Sequence, residues 1–130
     1  MTRREIREAV FKIVYMSDFY SGKEAEEQAA TFLSGLDEMT DDEKKEIEGR
    51  ADSIIEKKAE LDAAINEKTS GWKTSRMPKT DLAAIRLALY EMQEEGLDAG
   101  IAINEAVDIA KKYGDENSGS FVNGVLARLV

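Results

Sequence analysis

The sequence predicts an all-α fold: a compact bundle of six or seven helices arranged as two helical sub-bundles. Three observations predict it. Apolar residues recur at helical spacing along nearly the whole chain. The single proline, Pro78, leaves the helical stretches uninterrupted. No run of β-branched residues alternates with polar ones, as a half-buried strand requires. A chain of 130 residues suits one domain. It can bury roughly two-thirds of its unfolded surface, so it needs no covalent staple.

Each helix carries its own signals. The first covers roughly 3–20, with Ile6, Val10, Ile13, Val14 and Ser17 on one face, and Ser21-Gly22 breaks it. The second covers roughly 23–35, with Ala25, Ala29, Phe32 and Leu33 inward and Leu36 just beyond. The third starts at Thr40, where Thr40 and Glu43 form a capping box and Asp41 and Asp42 complement the helix dipole. Its apolar face reads Ile47, Ala51, Ile54, Leu61 and Ile65, with Lys58 interrupting the series. This stretch reads either as one helix to about Lys68 or as two with a break near 59–62. Ser70-Gly71 ends the pattern. A basic linker follows at 71–79 around Trp72 and Pro78, and it is expected to separate sub-bundles of about 1–70 and 71–130.

The next helix opens at Lys79 or Thr80 and runs to about Glu95, with Leu82, Ile85, Leu89 and Met92 inward and Gly96 as its stop. Another covers roughly 100–113, with Ile103, Ala106, Val107 and Ala110 inward and Gly114 as a C-cap candidate. Ser118 or Ser120 is expected to cap a final helix carrying Phe121, Val122, Val125, Leu126 and Leu129.

Composition excludes several function classes. The chain has neither cysteine nor histidine. That removes disulfides, the usual zinc ligands, and Cys–His or Ser–His nucleophilic pairs, leaving only carboxylates for a metal. No Gly-rich phosphate loop, nucleophile elbow or dinucleotide fingerprint is present. The expectation is a binding protein that is not an enzyme and needs no cofactor. No apolar run approaches the ~20 residues that span a bilayer. The opening Met1-Thr2-Arg3-Arg4-Glu5 does not resemble a signal-peptide core, so no membrane role and a cytoplasmic location are expected.

The net charge of −9 is unevenly spread. Residues 21–67 hold six bases and fifteen acids, whereas residues 68–90 hold five bases and one acid. The total argues against a general nucleic-acid binder, but local basic patches remain on an acidic body.

Arg3, Arg4 and Arg7 occupy the first turns of the opening helix, where cations oppose the dipole by ~0.3–1 kcal/mol each. Arg7, Phe11, Arg4 and Tyr15 fall within one sector of that helix. Guanidinium and aromatic groups together can pair phosphates and stack on unpaired bases. The alternative is that Phe11 and Tyr15 are core and the arginines merely solvated. Trp72, Lys73, Arg76 and Lys79 form a second basic and aromatic cluster, read here as a tryptophan filling the gap between sub-bundles. Glu105 and Asp108 lie one turn apart, and a solvated face explains them better than a metal site. The stretch from Asp115 fails as a calcium loop, with Ser120 at the sixth place and Leu126 at the twelfth. It reads instead as a polar loop feeding a helix N-terminus able to hold a phosphate, with Phe121 either stacking on a base or buried.

Three segments carry a family resemblance. They are Arg86 to Met92 (RLALYEM), Ala102 to Gly114 (AINEAVDIAKKYG) and Phe121 to Leu126 (FVNGVL). Trp72, the stretch Arg76-Met77-Pro78-Lys79 with Asp81, and the Arg-rich opening support them. In these features the chain resembles the NusB family of bacterial transcription antitermination factors, in matching order and spacing. The stretch 21–67 carries little of the resemblance.

The resemblance implies two helical sub-bundles and no catalysis. It implies binding to the boxA element of nascent ribosomal RNA together with the ribosomal protein NusE, and through them a link to RNA polymerase and other Nus factors. Carried over by position, Arg3, Arg4, Arg7, Tyr15, Phe121 and Asn123 are the expected RNA-binding residues. Asp81, Arg86 and Glu91 are the expected NusE-contacting residues, Asp81 above all because a carboxylate at a helix start suits a basic partner. The opening has three arginines instead of a longer basic run, and the middle is unusually acidic, so the joint complex with NusE gains weight. The runner-up is a noncatalytic accessory domain like that preceding rRNA cytosine methyltransferases. A free monomer and a homodimer fit the sequence equally.

Overall fold

The computed structural model describes residues 1–130. It contains α1 (Arg3–Met16), α2 (Gly22–Ser34), α3 (Asp41–Glu56), α4 (Lys58–Lys68), a 3-10 turn (Thr74–Arg76), α5 (Lys79–Glu94), α6 (Ala99–Tyr113) and α7 (Ser118–Ala127), with no strand. Two compact units form, Met1–Ile55 and Glu56–Val130. The division lies at the α3–α4 break and not in the basic linker, because α4 packs on α5.

In the first unit, helix starts are set by local chemistry. Thr2 and Glu5 form a reciprocal capping box on α1, a signal the Arg-rich reading of this end passed over. The Thr2 backbone N–H and then its hydroxyl hold the Glu5 carboxyl below the usual carboxylate range. The expected box on α3 is present: Glu43 N–H donates to Thr40 Oγ1 at 3.1 Å, and Thr40 N–H donates to Glu43 Oε1 at 2.9 Å. α1 ends at Met16, earlier than expected, and Asp18 and Phe19 continue only as a turn. Its buried stripe is Ile6, Ala9, Val10, Phe11, Ile13 and Val14. α2 buries Leu33 alone, while Ala25, Ala29 and Phe32 are half-buried. A cavity of about 220 Å³ stays open within this unit, lined by Ile13, Met16, Ala25, Ala29 and Ile55 among others.

The long third pattern is two helices, broken at Lys57, ahead of the expected 59–62. The reason lies in the apolar spacing. Ile47, Ala51 and Ile54 keep one face, but no apolar residue follows at the next turn, where Lys58 stands. α4 then buries Leu61 and Ile65. Lys57 Nζ donates to Glu94 Oε1 at 3.0 Å, and this hydrogen bond raises the lysine pKa.

The second unit is built round α5, which packs on α4, α6 and α7. Every residue from Asp81 to Glu91 is buried, so α5 is a central helix rather than an amphipathic one. Gly96, at φ 65°, turns the chain back so that Leu97 N–H reaches the Glu91 carbonyl at 3.0 Å. On α6 the Asp98 side chain accepts from Ile101 N–H. The inward set there is Ala102, Ala106, Ile109 and Ala110; Ile103 and Val107 are half-buried, so the helix is rotated from the expected face. α7 buries Val122, Val125 and Leu126.

Candidate nucleic-acid interface

In the first unit the three arginines fall in the first five residues of α1. Arg3 is 70 % exposed on its side chain, and its Nη1 donates to Glu46 Oε1 at 3.2 Å and Oε2 at 2.9 Å. Arg4 is exposed and Arg7 half-buried. Phe11 is buried at 2 % exposure, which settles it as core and removes it from the surface band. Tyr15 is half-buried and links two rings, with centroids 6.3 Å from Phe11 and 5.0 Å from Phe19. Phe19 is 56 % exposed and ends this aromatic series at the surface. Sequence reasoning missed Phe19, because at helical spacing it lies off the apolar face of Ile6, Val10, Ile13, Val14 and Ser17.

In the second unit the loop before α7 is organised by side chains. Asn117 N–H donates to Asp115 Oδ1 at 2.8 Å, and Asp115 N–H donates to Ser118 Oγ at 3.0 Å. No side chain caps α7, so neither Ser118 nor Ser120 has the expected capping role. Ser118 is buried and instead hydrogen-bonds the Asp81 carboxyl. Gly114 lies so close to this loop that a Cβ there would meet the Ser118 Oγ, with Ser118 Cβ at 2.6 Å and the Ala110 carbonyl at 2.8 Å. It ends α6 in an extended conformation and not as a left-handed cap. Phe121 is half-buried, Asn123 exposed and Gly124 half-buried. No three acidic side chains group to hold a metal ion, and no helix is long and apolar enough to cross a membrane.

The family model for the NusB family matches residues 4–130. The chain belongs to the NusB family. It is 50% identical over 129 residues to the transcription antitermination protein NusB of Agathobacter rectalis, covering 98% of both chains. It is 41% identical to the protein of the same name from Lachnoclostridium phytofermentans, over 100% of this chain and 99% of that one. Among solved structures, NusB of T. maritima superposes with a TM-score of 0.86 at 34% identity, covering 99% of this chain and 90% of that one. A chain in the crystal structure of a plectonemic RNA supercoil superposes with a TM-score of 0.85 at 26% identity, over 98% of this chain and 92% of that one.

In this NusB-family chain the three expected partner-contacting residues are buried. Asp81, Arg86 and Glu91 are 3 %, 3 % and 1 % exposed, so none presents a side chain to a docking protein. They lie on the central helix of the unit, where all sides are packed. Arg86 is committed to Asp62 in a two-point ion pair. Burial raises the Asp81 pKa, Asp115 adds to the rise, and the Ser118 hydrogen bond opposes it. One Asp81 oxygen, Oδ1, has no hydrogen-bond partner.

Trp72 also differs from expectation. It is 41 % exposed and not a buried plug. Its ring meets Phe121 edge-on at 5.7 Å, and the Arg128 guanidinium lies over it at 4.9 Å. Arg128 was not singled out from the sequence, since nothing local marks a lone base near the end of a helix.

Proposed function

We propose that this chain acts as a transcription antitermination factor that binds the boxA element of nascent ribosomal RNA transcripts together with the ribosomal protein NusE, helping RNA polymerase avoid premature termination. The observation that carries this reading is the end-to-end match at 50% identity to a protein named for transcription antitermination. The likeness to a chain from a crystal structure of an RNA supercoil supports the RNA half of it. The relatives quoted above both carry the name of transcription antitermination protein, which favours this reading over an accessory domain.

The chemistry follows from groups that are exposed (Arg3, Arg4 and Asn123) or half-buried (Arg7, Tyr15 and Phe121). Arg3, Arg4 and Arg7 supply phosphate contacts, which give affinity and orientation. The exposed ion pair of Arg3 with Glu46 is worth at most about 1 kcal/mol, so an RNA phosphate competes for that guanidinium at little cost. Tyr15 and Phe121 offer ring faces and edges to unpaired bases, and Asn123 offers an amide to a base edge. NusE bound beside the same RNA raises the effective concentration of each partner for the other. With the partner-facing set on α5 buried, the NusE half of the proposal rests on family membership.

The test is a titration of boxA RNA into the protein, with and without NusE, comparing the parent with Arg7→Glu. Weaker binding by the variant, with the helical signal and melting temperature retained, is expected. A parent that shows no affinity for boxA RNA, alone or with NusE, sinks the reading.

A further inference from the structure

We propose that Trp72 and Arg128 form a second contact for single-stranded RNA, an indole platform for a base with a guanidinium beside it for the adjoining phosphate. The inference rests on the RNA-binding reading above and adds residues outside its assigned set.

Geometry comes first. The three side chains Trp72, Phe121 and Arg128 make one cluster at the surface of the second unit, Phe121 edge-on to the indole and Arg128 over it. Trp72 is held there by its backbone: its N–H donates to the Thr69 carbonyl at 2.9 Å, and its carbonyl accepts from Thr69 Oγ1 at 2.8 Å. The following turn is tied down as well, with Thr74 N–H donating to Asn66 Oδ1 at 2.8 Å. The indole, 41 % exposed, is thus presented to water from a well-anchored loop. The Arg128 guanidinium over it is an exposed cation–π contact. That contact is weaker than base stacking on an aromatic ring, so a base can displace it and leave the cation near its phosphate.

Charge selects the partner. Residues 68–79 carry four bases and no acid, and residues 117–130 carry one base and no acid, in a chain whose net charge is −9. The two segments that build the platform are thus acid-free within an acidic protein. Lys73, Arg76 and Lys79, which follow Trp72 within seven positions in the sequence, are exposed. A polyanion with unpaired bases satisfies both the ring and the surrounding charge; an acidic peptide satisfies only the charge.

Trp72 is the only tryptophan, so its emission reports on this site alone. The experiment titrates a labelled single-stranded boxA oligonucleotide into the parent, Trp72→Leu and Arg128→Ala, reading RNA anisotropy and tryptophan emission together. Expected are emission quenching that tracks the anisotropy curve and roughly tenfold weaker binding for Trp72→Leu. Arg128→Ala should lower the slope of log affinity against log salt by about 0.7. If Trp72→Leu fails to fold, parent quenching and Arg128→Ala still decide. RNA binding by the parent with unchanged emission, and an unchanged salt slope in Arg128→Ala, overturns the platform and leaves the RNA-binding reading standing. No RNA binding by the parent, with or without NusE, removes both.

Discussion

The Arg86 guanidinium meets the Asp62 carboxylate edge to edge, Nε to Oδ1 at 2.8 Å and Nη2 to Oδ2 at 2.7 Å. The arginine side chain is 4 % exposed and the aspartate 23 %, so the pair is largely withdrawn from water. Removing one partner strands the other charge, a loss on the order of 3 kcal/mol or more. Arg86→Met should lower the urea midpoint accordingly, and pairing it with Asp62→Leu should recover much of the loss. Additive losses in the double variant would show that the two groups do not act as a pair.

Asp81 sets an acid-side dependence. Its folded pKa lies above the unfolded value because burial disfavours the charged form. The native state therefore holds a proton that the unfolded chain has released, between pH 3.8 and the raised value. Stability falls as pH rises through that window, since the ionised carboxylate is the costly form. Asp81→Asn cannot ionise and should be spared this loss. The variant's stability relative to the parent should be highest at neutral pH and shrink on acidification. Urea melts from pH 3 to 7 check it, and a constant difference across that range would contradict it.

Gly114→Ala should destabilise the second unit by roughly 1–3 kcal/mol through overpacking. A methyl group there meets Ser118, which is held by the turn that starts α7, and the Ala110 carbonyl of α6. Thermal melts measure the loss. A melting temperature equal to the parent's would mean that the turn yields without strain.

Amide exchange should grade the helices by burial. α5 is buried from Asp81 to Glu91, whereas α2 buries Leu33 alone. Amides of α2 should open through local fluctuations and exchange well before those of α5, which require global unfolding. Equal protection in the two helices would argue against this ranking.

Much of the architecture was legible because its signals are local. The Thr40–Glu43 box, the stop at Gly96 and the helix over Lys79–Glu94 depend on residues within a turn or two of each other. The Arg-rich opening and the Phe121-Val122-Asn123-Gly124 motif could be read the same way, and with them the family. The break at Lys57 was half-legible. The missing apolar residue marked a discontinuity, but its position depended on how Leu61 and Ile65 reach the interior.

By itself the sequence determined the helical class, the approximate helix spans and the absence of histidine and cysteine chemistry. Periodicity, capping and composition are properties of neighbouring residues and of counts. Only the tertiary structure decided which polar groups face water. Arg86 is buried because Asp62, 24 positions away, arrives to neutralise it, whereas Asp81 is buried beside Ser118 with its pKa raised towards the neutral form. Trp72 stands at the surface because Phe121 and Arg128 meet it from α7 and just beyond its end. The environment of a charge or a ring is set by elements distant in the chain, and no local pattern encodes it.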